Sequence, residues 1–357
     1  MTPPTAALAV ARPSAAGTVL TIQYLRAVAA SLVVLHHALA SLFVTTIGLF
    51  GVDLFFVISG YVMWMTTAGS RRSPLSFWTA RIVRIVPLYW LFTTLYIAVG
   101  LLVPSALPHA AFDPLFVAKS YLFVPAVHPT LGVVAPVYTL GWTLNYEMFF
   151  YFLFGLGLFM PWRIVRFAVL AAVFLALVTI GRWAPGGAIA VTYTDPILLE
   201  FLAGIVLAML SPWLMRQITA LGWLLILAGV AWLVAVMAAD LPWTRALASG
   251  VPAAAIVAGA LVLEPLARKA PSRLGLLLGD ASYSIYLAHP FGQRVWLLAC
   301  QYVKLDLAAT SVAALYVVAA IVVGIASGVV SHLLVERPLL AAGRPLRGRT
   351  SLARGAA

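Results

Sequence analysis

Hydrophobic residues fall into ten long stretches, which are separated by short polar segments rich in arginine, proline or glycine. A stretch of about 20 apolar residues can cross the hydrocarbon core of a bilayer as one helix. The pattern therefore predicts an all-α polytopic membrane bundle with about ten transmembrane helices. The predicted spans are 20–42, 49–68, 86–103, 139–160, 166–181, 194–212, 219–238, 246–264, 275–299 and 308–334.

The segments between and beyond the spans predict the domain organisation. Residues 104–138 contain six prolines and predict an irregular lid or re-entrant loop. No long polar linker occurs elsewhere, so residues 19–338 are predicted to form one transmembrane domain. Residues 1–18 lack the basic region and compact apolar core of a cleavable signal and predict a disordered cytoplasmic lead. Residues 339–357 predict a short, basic cytoplasmic tail.

Composition narrows the class of protein. Hydrophobic residues make up 64% of the chain and charged residues 9%, whereas soluble domains carry about 25% charged residues. Too few polar residues are present to cover a water-facing globule, which excludes a soluble enzyme. The single cysteine, Cys300, excludes an internal disulfide framework.

The positive charges predict the orientation of the chain. There are 22 Lys and Arg residues against 10 Asp and Glu residues, giving a net charge of +12. In a soluble protein this excess suggests nucleic acid, whereas in a membrane protein it collects in cytoplasmic loops. With a cytoplasmic N-terminus, sixteen Lys and Arg residues fall on the cytoplasmic side and four on the other. Both termini are therefore predicted in the cytoplasm, with no nucleic acid as a partner.

A few ionisable side chains lie within the predicted spans, where each costs about 2.5–3.5 kcal/mol to insert, so those retained usually line a cavity or pathway. Arg26 and His37 share the first span. Eleven residues make almost three helical turns, which places both side chains on one face about 16 Å apart. Snorkelling of Arg26 to lipid headgroups and simple packing of His37 are the structural alternative.

Glu147 lies in the fourth span, about two turns below the outer surface and at a depth comparable with that of His37. A carboxylate and an imidazole at matched depth can form an acid/base pair, or a structural hydrogen bond between two helices. In the ninth span, a polar run that includes Tyr283 and His289 is explained by polar helix packing or by a direct role of His289.

Arg81 and Arg84 lie in the stretch 77–87, which is predicted as a cytoplasmic loop. Residues three apart share a helical face, and two guanidiniums on one face suit the phosphates of an anionic donor. A positive flank on the cytoplasmic side of a span is the alternative. No HExxH spacing, P-loop or dinucleotide fingerprint is present, so no metal or nucleotide enzyme of a familiar type is expected.

Asp53 lies near the start of the second span, between Gly51 and Gly60. It is expected near the outer surface, where it can cap a helix N-terminus. The two glycines permit close approach of another helix. Together with Trp142, Tyr283 and His289, which lie in later spans, Asp53 is a candidate for lining an internal cavity.

Six motifs follow one another along the chain. They are Arg26, ten residues and His37; Gly51 to Tyr61; Arg81-x-x-Arg84 with Pro87; Trp142-Thr143-Leu144 with Glu147; Gly279 to His289; and Glu336-Arg337-Pro338. Each motif is weak singly, whereas their order and spacing make the set specific. Together they resemble the acyltransferase 3 family of integral membrane proteins, with the closest likeness to the exopolysaccharide acetyltransferase subgroup. The resemblance covers about residues 22–338, nearly the whole chain.

The resemblance implies transfer of an acyl group, expected to be acetyl, from cytoplasmic acyl-CoA to a hydroxyl of an exported or lipid-linked polysaccharide. Acetyl-CoA is then a donor substrate, and no bound cofactor or metal is expected. The expected partners are acyl-CoA, a polysaccharide or lipid-linked saccharide acceptor, and the lipid of the bacterial inner membrane. Arg26, Arg81 and Arg84 would bind acyl-CoA. His37 would act as general base or nucleophile, with Glu147 as its catalytic partner.

The alternative is a secondary transporter or lipid-linked sugar flippase, with Arg26, His37 and Glu147 on its translocation path. Transporters commonly carry internal repeats and broken helices near the midplane of the membrane. No convincing repeat relates the two halves of this chain. The acyltransferase interpretation is therefore preferred.

Overall fold

The computed structural model describes residues 18–43, 48–68, 73–107, 109–183, 186–239, 245–307 and 309–343. These residues form a helical bundle without β-strands, which confirms the predicted all-α fold. The helices are α1 (Leu20–Ala40), α2 (Phe50–Thr66), α3 (Pro74–Leu102), α4 (Pro114–Tyr121), α5 (Trp142–Gly157), α6 (Arg163–Gly181), α7 (Ala188–Tyr193), α8 (Leu198–Leu214), α9 (Thr219–Ala239), α10 (Val251–Val262), α11 (Glu264–Ala267), α12 (Arg273–Asp280), α13 (Ser282–Tyr302), α14 (Thr310–Ser331) and α15 (Arg337–Ala342).

Six helical stretches in the described part of the chain are long and apolar enough to cross a membrane. Helix α2 and the stretch Ala246–Val262 are apolar but shorter. The number of ten spans and the cytoplasmic position of both termini therefore stay predictions. The predicted lead lies almost wholly outside the described residues, as does the tail after residue 343, while residues 339–342 belong to α15. The six stretches are Leu20–Ala40, Pro74–Leu102, Arg163–Gly181, Ala188–Leu214, Thr219–Ala238 and Thr310–Ala342.

The stretch 77–87, which was predicted as a cytoplasmic loop, is helical, and that prediction is wrong. Helix α3 begins at Pro74 and includes the whole stretch. The side chain of Ser73 accepts a hydrogen bond from the backbone N–H of Ser76, and proline is favoured in the first helical turn. The arginines of this stretch are accommodated on a helix because their side chains face an internal cavity.

The predicted ninth span is divided between two helices, α12 and α13, which meet at Ala281. The described residues of the irregular segment 104–138 form no helix other than α4 and one 3₁₀ turn, as its prolines suggest. It is attached to the bundle by the Tyr89 hydroxyl, which donates to the carbonyl of Ser120 at 3.1 Å, and by the Tyr138 hydroxyl, which donates to that of Leu287. The segment therefore covers the end of the bundle where α3 ends and α5 begins.

The N-terminus of α1 is capped by a carboxylate distant in the sequence. Glu264 accepts hydrogen bonds from the backbone N–H groups of Leu20, at 3.0 Å, and Thr21, at 2.9 Å. It also pairs with Arg268 at 2.8 Å. The first N–H groups of a helix lack partners within the helix, so this contact fixes the start of α1, and with it the position of Arg26 one and a half turns later.

Helices α2 and α8 pack with their backbones in direct contact. A Cβ atom at Gly60 would lie 2.0 Å from the carbonyl oxygen of Phe201, and one at Gly204 would lie 1.9 Å from that of Val57. A Cβ atom at Gly51 would likewise lie 2.3 Å from the carbonyl oxygen of Ala29 on α1. The expectation that Gly51 and Gly60 permit close helix approach is confirmed.

Replacing Gly204 with valine is expected to prevent this packing, because the new side chain would overlap the backbone of α2. Overpacking typically costs about 1–3 kcal/mol of stability, and a clash with backbone falls at or above the upper value. Thermal unfolding of the purified protein in detergent measures the loss. Gly187→Val is the matched control, since a Cβ atom there meets nothing within 4 Å. Equal melting temperatures of the two variants would contradict the prediction.

Candidate active site

An elongated cavity of about 130 Å³ lies among α1, α2, α3, α5 and α13. On α2 its lining runs from Val52 to Met63, which is eleven residues or about 16 Å of helix axis. Three guanidiniums, one each from Arg26, Arg81 and Arg84, lie in its wall. We call this set the arginine cluster. The polar residues that complete the lining are Ser59, Thr143, Glu147, Tyr151, Ser282, Tyr283 and Tyr286.

Two members of the arginine cluster have no ion pair among the described residues. Arg26 donates from Nη1 to the side-chain oxygen of Gln23 at 3.1 Å, and Gln23 in turn donates to Asp280 at 3.2 Å. Arg81 lies over the rings of Phe77, at 5.8 Å, and Tyr151, at 5.9 Å. Its Nε atom has no hydrogen-bond partner within the described part of the chain. Both guanidiniums can therefore bind an anion in the cavity.

Arg84, the third member, is held by a network on the other side of the cavity wall. Its Nη1 atom lies 3.4 Å from Oε1 of Glu336, which is 1% exposed. The Ser284 hydroxyl donates to Oε2 of Glu336 at 2.8 Å, and Nδ1 of His332 lies 2.6 Å from the same oxygen. His332 and Glu336 delimit a π-helical turn after α14. The network fixes Arg84 and neutralises part of its charge.

Glu147 lines the cavity within reach of α2. Its Oε1 atom accepts hydrogen bonds from the Ser59 hydroxyl, at 3.3 Å, and from the Tyr151 hydroxyl one turn later on α5. It is the one carboxylate among the described lining residues, which include three guanidiniums. The cavity wall therefore carries an excess of positive charge.

His37 does not line this cavity. Its Nδ1 atom lies 2.9 Å from the carbonyl oxygen of Val33, so Nδ1 carries the proton and donates, and Nε2 is left with a free lone pair. Its ring contacts those of His36 and His289, with centroids 5.0 and 4.9 Å apart. Among the described residues, no hydrogen bond joins His37 to Glu147. The acid/base pair suggested by their matched depth is therefore not formed in this structure.

A series of ring contacts leads from the cavity wall through Tyr286 and His289 to His37. Tyr286 lines the cavity, and its hydroxyl lies 2.8 Å from the carbonyl oxygen of Leu140 and 2.9 Å from the Thr143 hydroxyl. Its ring centroid lies 6.5 Å from that of His289, which in turn contacts His37. His37 is thus connected to the cavity wall through the rings of His289 and Tyr286.

Asp53 and Trp142, which were predicted as cavity lining, belong to a separate cluster. Asp53 lies 3.0 Å from Nε of Arg245, and the Arg245 guanidinium lies 5.7 Å from the Trp142 ring centroid. Leu49, and not Asp53, is the N-cap of α2. Of the four predicted lining residues, Tyr283 alone lies in the wall of the described cavity, and its hydroxyl donates to the carbonyl of Ile85 at 2.8 Å. His289 contacts the ring of Tyr286, which does line the cavity, and Trp142 contacts Arg245.

Sequence reasoning missed several polar groups of the cavity. Ser59 lies within the motif Gly51 to Tyr61, and Tyr151 lies four residues after Glu147, a spacing that places both side chains on one face of a helix. The contact between Tyr151 and Glu147 could therefore have been predicted from this spacing. Thr143 and Ser282 likewise lie within the motifs 142–144 and 279–289, but the sequence analysis did not identify either as cavity lining.

Comparison with known proteins agrees with these observations. The acyltransferase domain family, acyltransferase 3, matches residues 19–331. The chain is 39% identical over 315 residues to the exopolysaccharide production protein ExoZ of Rhizobium meliloti (strain 1021), covering 87% of this chain and 96% of that protein. It is 28% identical over 346 residues to the acyltransferase MdmB of Streptomyces mycarofaciens, covering 86% and 85% of the two chains. No solved structure matches significantly. The helical bundle with its arginine-lined cavity thus belongs to the acyltransferase 3 family.

Proposed function

We propose that the protein is a membrane-bound O-acyltransferase that moves an acyl group, expected to be acetyl, from acyl-CoA to a hydroxyl of an exported or lipid-linked polysaccharide. The observation that carries the proposal is the arginine cluster, in which Arg26 and Arg81 line the cavity and form no ion pair with any residue that the structure describes. Charged groups inside a protein need compensation, and guanidiniums match phosphate oxygens in geometry and charge. The phosphates of CoA supply that compensation.

The orientation follows from the arginine-rich loops, which favour the cytoplasm. The donor would enter from the cytoplasm, with its phosphates at the arginine cluster and its acyl end directed along the cavity toward Thr143 and Tyr286. His37 lies eleven residues after Arg26 on α1, about 16 Å farther along the helix axis. The acceptor hydroxyl would meet the thioester at the His37 side of Tyr286.

In the reaction, the C–S bond of the thioester breaks, a C–O ester bond forms, and the hydroxyl proton passes to the CoA thiolate. His37 supports two routes. As a general base, its free Nε2 lone pair takes the hydroxyl proton during attack. As a nucleophile, Nε2 first takes the acyl group, and the hydroxyl then displaces it. Both routes need a neutral imidazole with its proton on Nδ1, which the hydrogen bond to Val33 holds in place.

The test is acyl transfer by the purified protein in liposomes, with radiolabelled acetyl-CoA and de-O-acetylated polysaccharide. We expect label in the polysaccharide as an alkali-labile ester, and O-acetyl NMR signals that disappear from a deletion strain and return with the wild-type gene. Protein-free liposomes are the control. Saccharide transport without any acyl donor, together with no transfer from acetyl-CoA, would contradict the proposal and favour a transporter.

The two relatives ExoZ and MdmB support a polysaccharide as acceptor and acyl transfer as the reaction. ExoZ is described as an exopolysaccharide production protein and MdmB as an acyltransferase. The first description suggests a polysaccharide, and the second suggests the reaction type. A donor series of acetyl, succinyl and longer acyl-CoA molecules in the liposome assay defines which acyl group is transferred.

A further inference from the structure

His289 is fully buried, and one of its ring nitrogens lacks a hydrogen-bond partner in the part of the chain that the structure describes. Its side chain is 0% exposed, and its Nδ1 atom lies 2.9 Å from the carbonyl oxygen of Ile285. Its Nε2 atom has no hydrogen-bond partner among the described residues. About 90% or more of buried polar groups are paired, because leaving one unpaired is destabilising. The unpaired Nε2 atom therefore requires an explanation.

The ring of His289 contacts the ring of His37 on α1. The rings of His289 and His37 meet edge to face, with centroids 4.9 Å apart and an interplanar angle of 63°. Each ring is fixed in the same manner, because each Nδ1 bonds the carbonyl four residues earlier in its own helix, at Val33 or Ile285. Both rings therefore carry a proton on Nδ1 and a lone pair on Nε2.

A hydrogen bond between α1 and α13 fixes the relative position of the two helices that carry these histidines. The side-chain amide of Gln293, one turn after His289 on α13, donates to the carbonyl of Val34 on α1 at 2.9 Å. On α14, Gly324 lies against His289, and its absent side chain leaves room for the imidazole. The titratable groups in ring contact with the pair are His36, on the α1 side, and Tyr286, on α13. No carboxylate of the described residues hydrogen-bonds either imidazole.

We propose that His289 is a positioning residue for His37, whose unpaired Nε2 atom accepts a hydrogen bond from the His37 imidazolium. The inference rests on the proposed acyl transfer. It applies to the general-base route, because an acylated Nε2 of His37 would carry no proton. On that route the proton leaves the acceptor hydroxyl for Nε2 of His37, where Nε2 of His289 is its hydrogen-bond acceptor, and then passes to the sulfur of the departing CoA thiolate. An interaction made only when His37 is protonated lowers the barrier without tightening substrate binding.

The test compares His289→Phe, which keeps a planar ring without an acceptor, with His289→Gln, which restores an acceptor oxygen. A hydrogen bond to a charged group is worth about 1.5–3 kcal/mol, which is about a 10- to 100-fold change in rate. We expect His289→Phe to lower kcat by that factor with KM for acetyl-CoA unchanged. The acidic limb of its rate profile moves to lower pH, because a less stabilised imidazolium forms only in more acidic solution. His289→Gln recovers much of the rate.

His36→Phe is the matched control, since it removes the other imidazole that contacts His37 but lies on a different face of α1. We expect it to keep the wild-type rate and pH profile. Wild-type kcat and profile in His289→Phe, or equal losses in the Phe and Gln variants, would overturn the positioning role while leaving the acyltransferase function standing. Absence of acyl transfer in the wild-type protein would overturn the proposed function and this inference together.

Discussion

Replacement of His37 by alanine is expected to abolish O-acylation of the polysaccharide while the protein still inserts at its normal level. A positioned base contributes about 10²- to 10⁴-fold to a reaction rate, and loss of a nucleophile costs more. The protein should remain folded, because the hydrogen bond of His37 to Val33 lies within α1 and ties no other helix. O-acetyl signals in the NMR spectrum of polysaccharide from a complemented deletion strain give the activity. An immunoblot of the membranes gives the amount of protein.

His36→Ala is the control for this experiment. Adjacent residues on a helix differ in direction by about 100°, so His36 shares the depth of His37 but not its orientation. Its alanine variant should retain O-acylation. Full acylation by the His37→Ala protein would refute the catalytic role of His37, and equal loss in both variants would show that the two histidines serve packing alone.

A variation on this experiment separates the two routes open to His37. The wild-type protein is incubated with radiolabelled acetyl-CoA and no acceptor, and bound label is measured after denaturation. Label on the wild-type protein that is absent from His37→Ala indicates an acyl-histidine intermediate. Unlabelled wild-type protein that still transfers acetyl to added polysaccharide indicates general-base catalysis.

Apolar patterning predicted the helices that face lipid better than those that build the cavity. The predicted spans 166–181 and 219–238 agree with α6 and α9, which contribute no residue to the cavity wall, to within a few residues, because an uninterrupted apolar run has no stable alternative in a bilayer. The start of α3 was missed by twelve residues. Its first turns carry arginines, which were assigned to a loop because an apolar pattern does not reveal a polar interior.

The predicted depth of two side chains in the membrane did not predict whether they are in contact. Arg26, Arg81 and Arg84 were predicted as one acyl-CoA-binding set, and the structure brings all three into one wall. Glu147 and His37 share a depth, but depth fixes only one coordinate. Rotation about the helix axis directs Glu147 toward Ser59 and Tyr151. Tertiary packing decides that rotation, and the sequence alone does not contain it.

Pairings between distant residues were the least predictable part. Asp53 and Arg245 are 192 residues apart in the sequence, and no local pattern connects them. The same holds for Glu264, whose carboxylate caps α1 from 244 residues away. Both pairings form because a buried carboxylate requires a hydrogen-bond donor. This requirement predicts that a partner exists, but it does not identify the residue.

Removing the charges of Arg81 and Arg84 together is expected to weaken acetyl-CoA binding by at least about 10- to 100-fold, the value of a single hydrogen bond to a charged group. The two residues should differ in their effect on stability. Arg81 has no ion pair among the described residues, so Arg81→Gln should lower affinity with little change in the melting temperature. Arg84→Gln also leaves Glu336 without its arginine, which costs about 1–3 kcal/mol.

A double replacement separates these two contributions of Arg84. Combining Arg84→Gln with Glu336→Gln removes both partners of the 3.4 Å ion pair, so the melting temperature should recover while affinity for acetyl-CoA stays low. Isothermal titration with purified protein in detergent measures affinity, and thermal unfolding of the same samples measures stability. Unchanged affinity in the Arg81→Gln, Arg84→Gln protein would mean that the two arginines serve only the topology of the chain. Arg81→Lys, which keeps the charge but loses the planar fork, should bind with intermediate affinity, because phosphate recognition by guanidinium depends on geometry as well as charge.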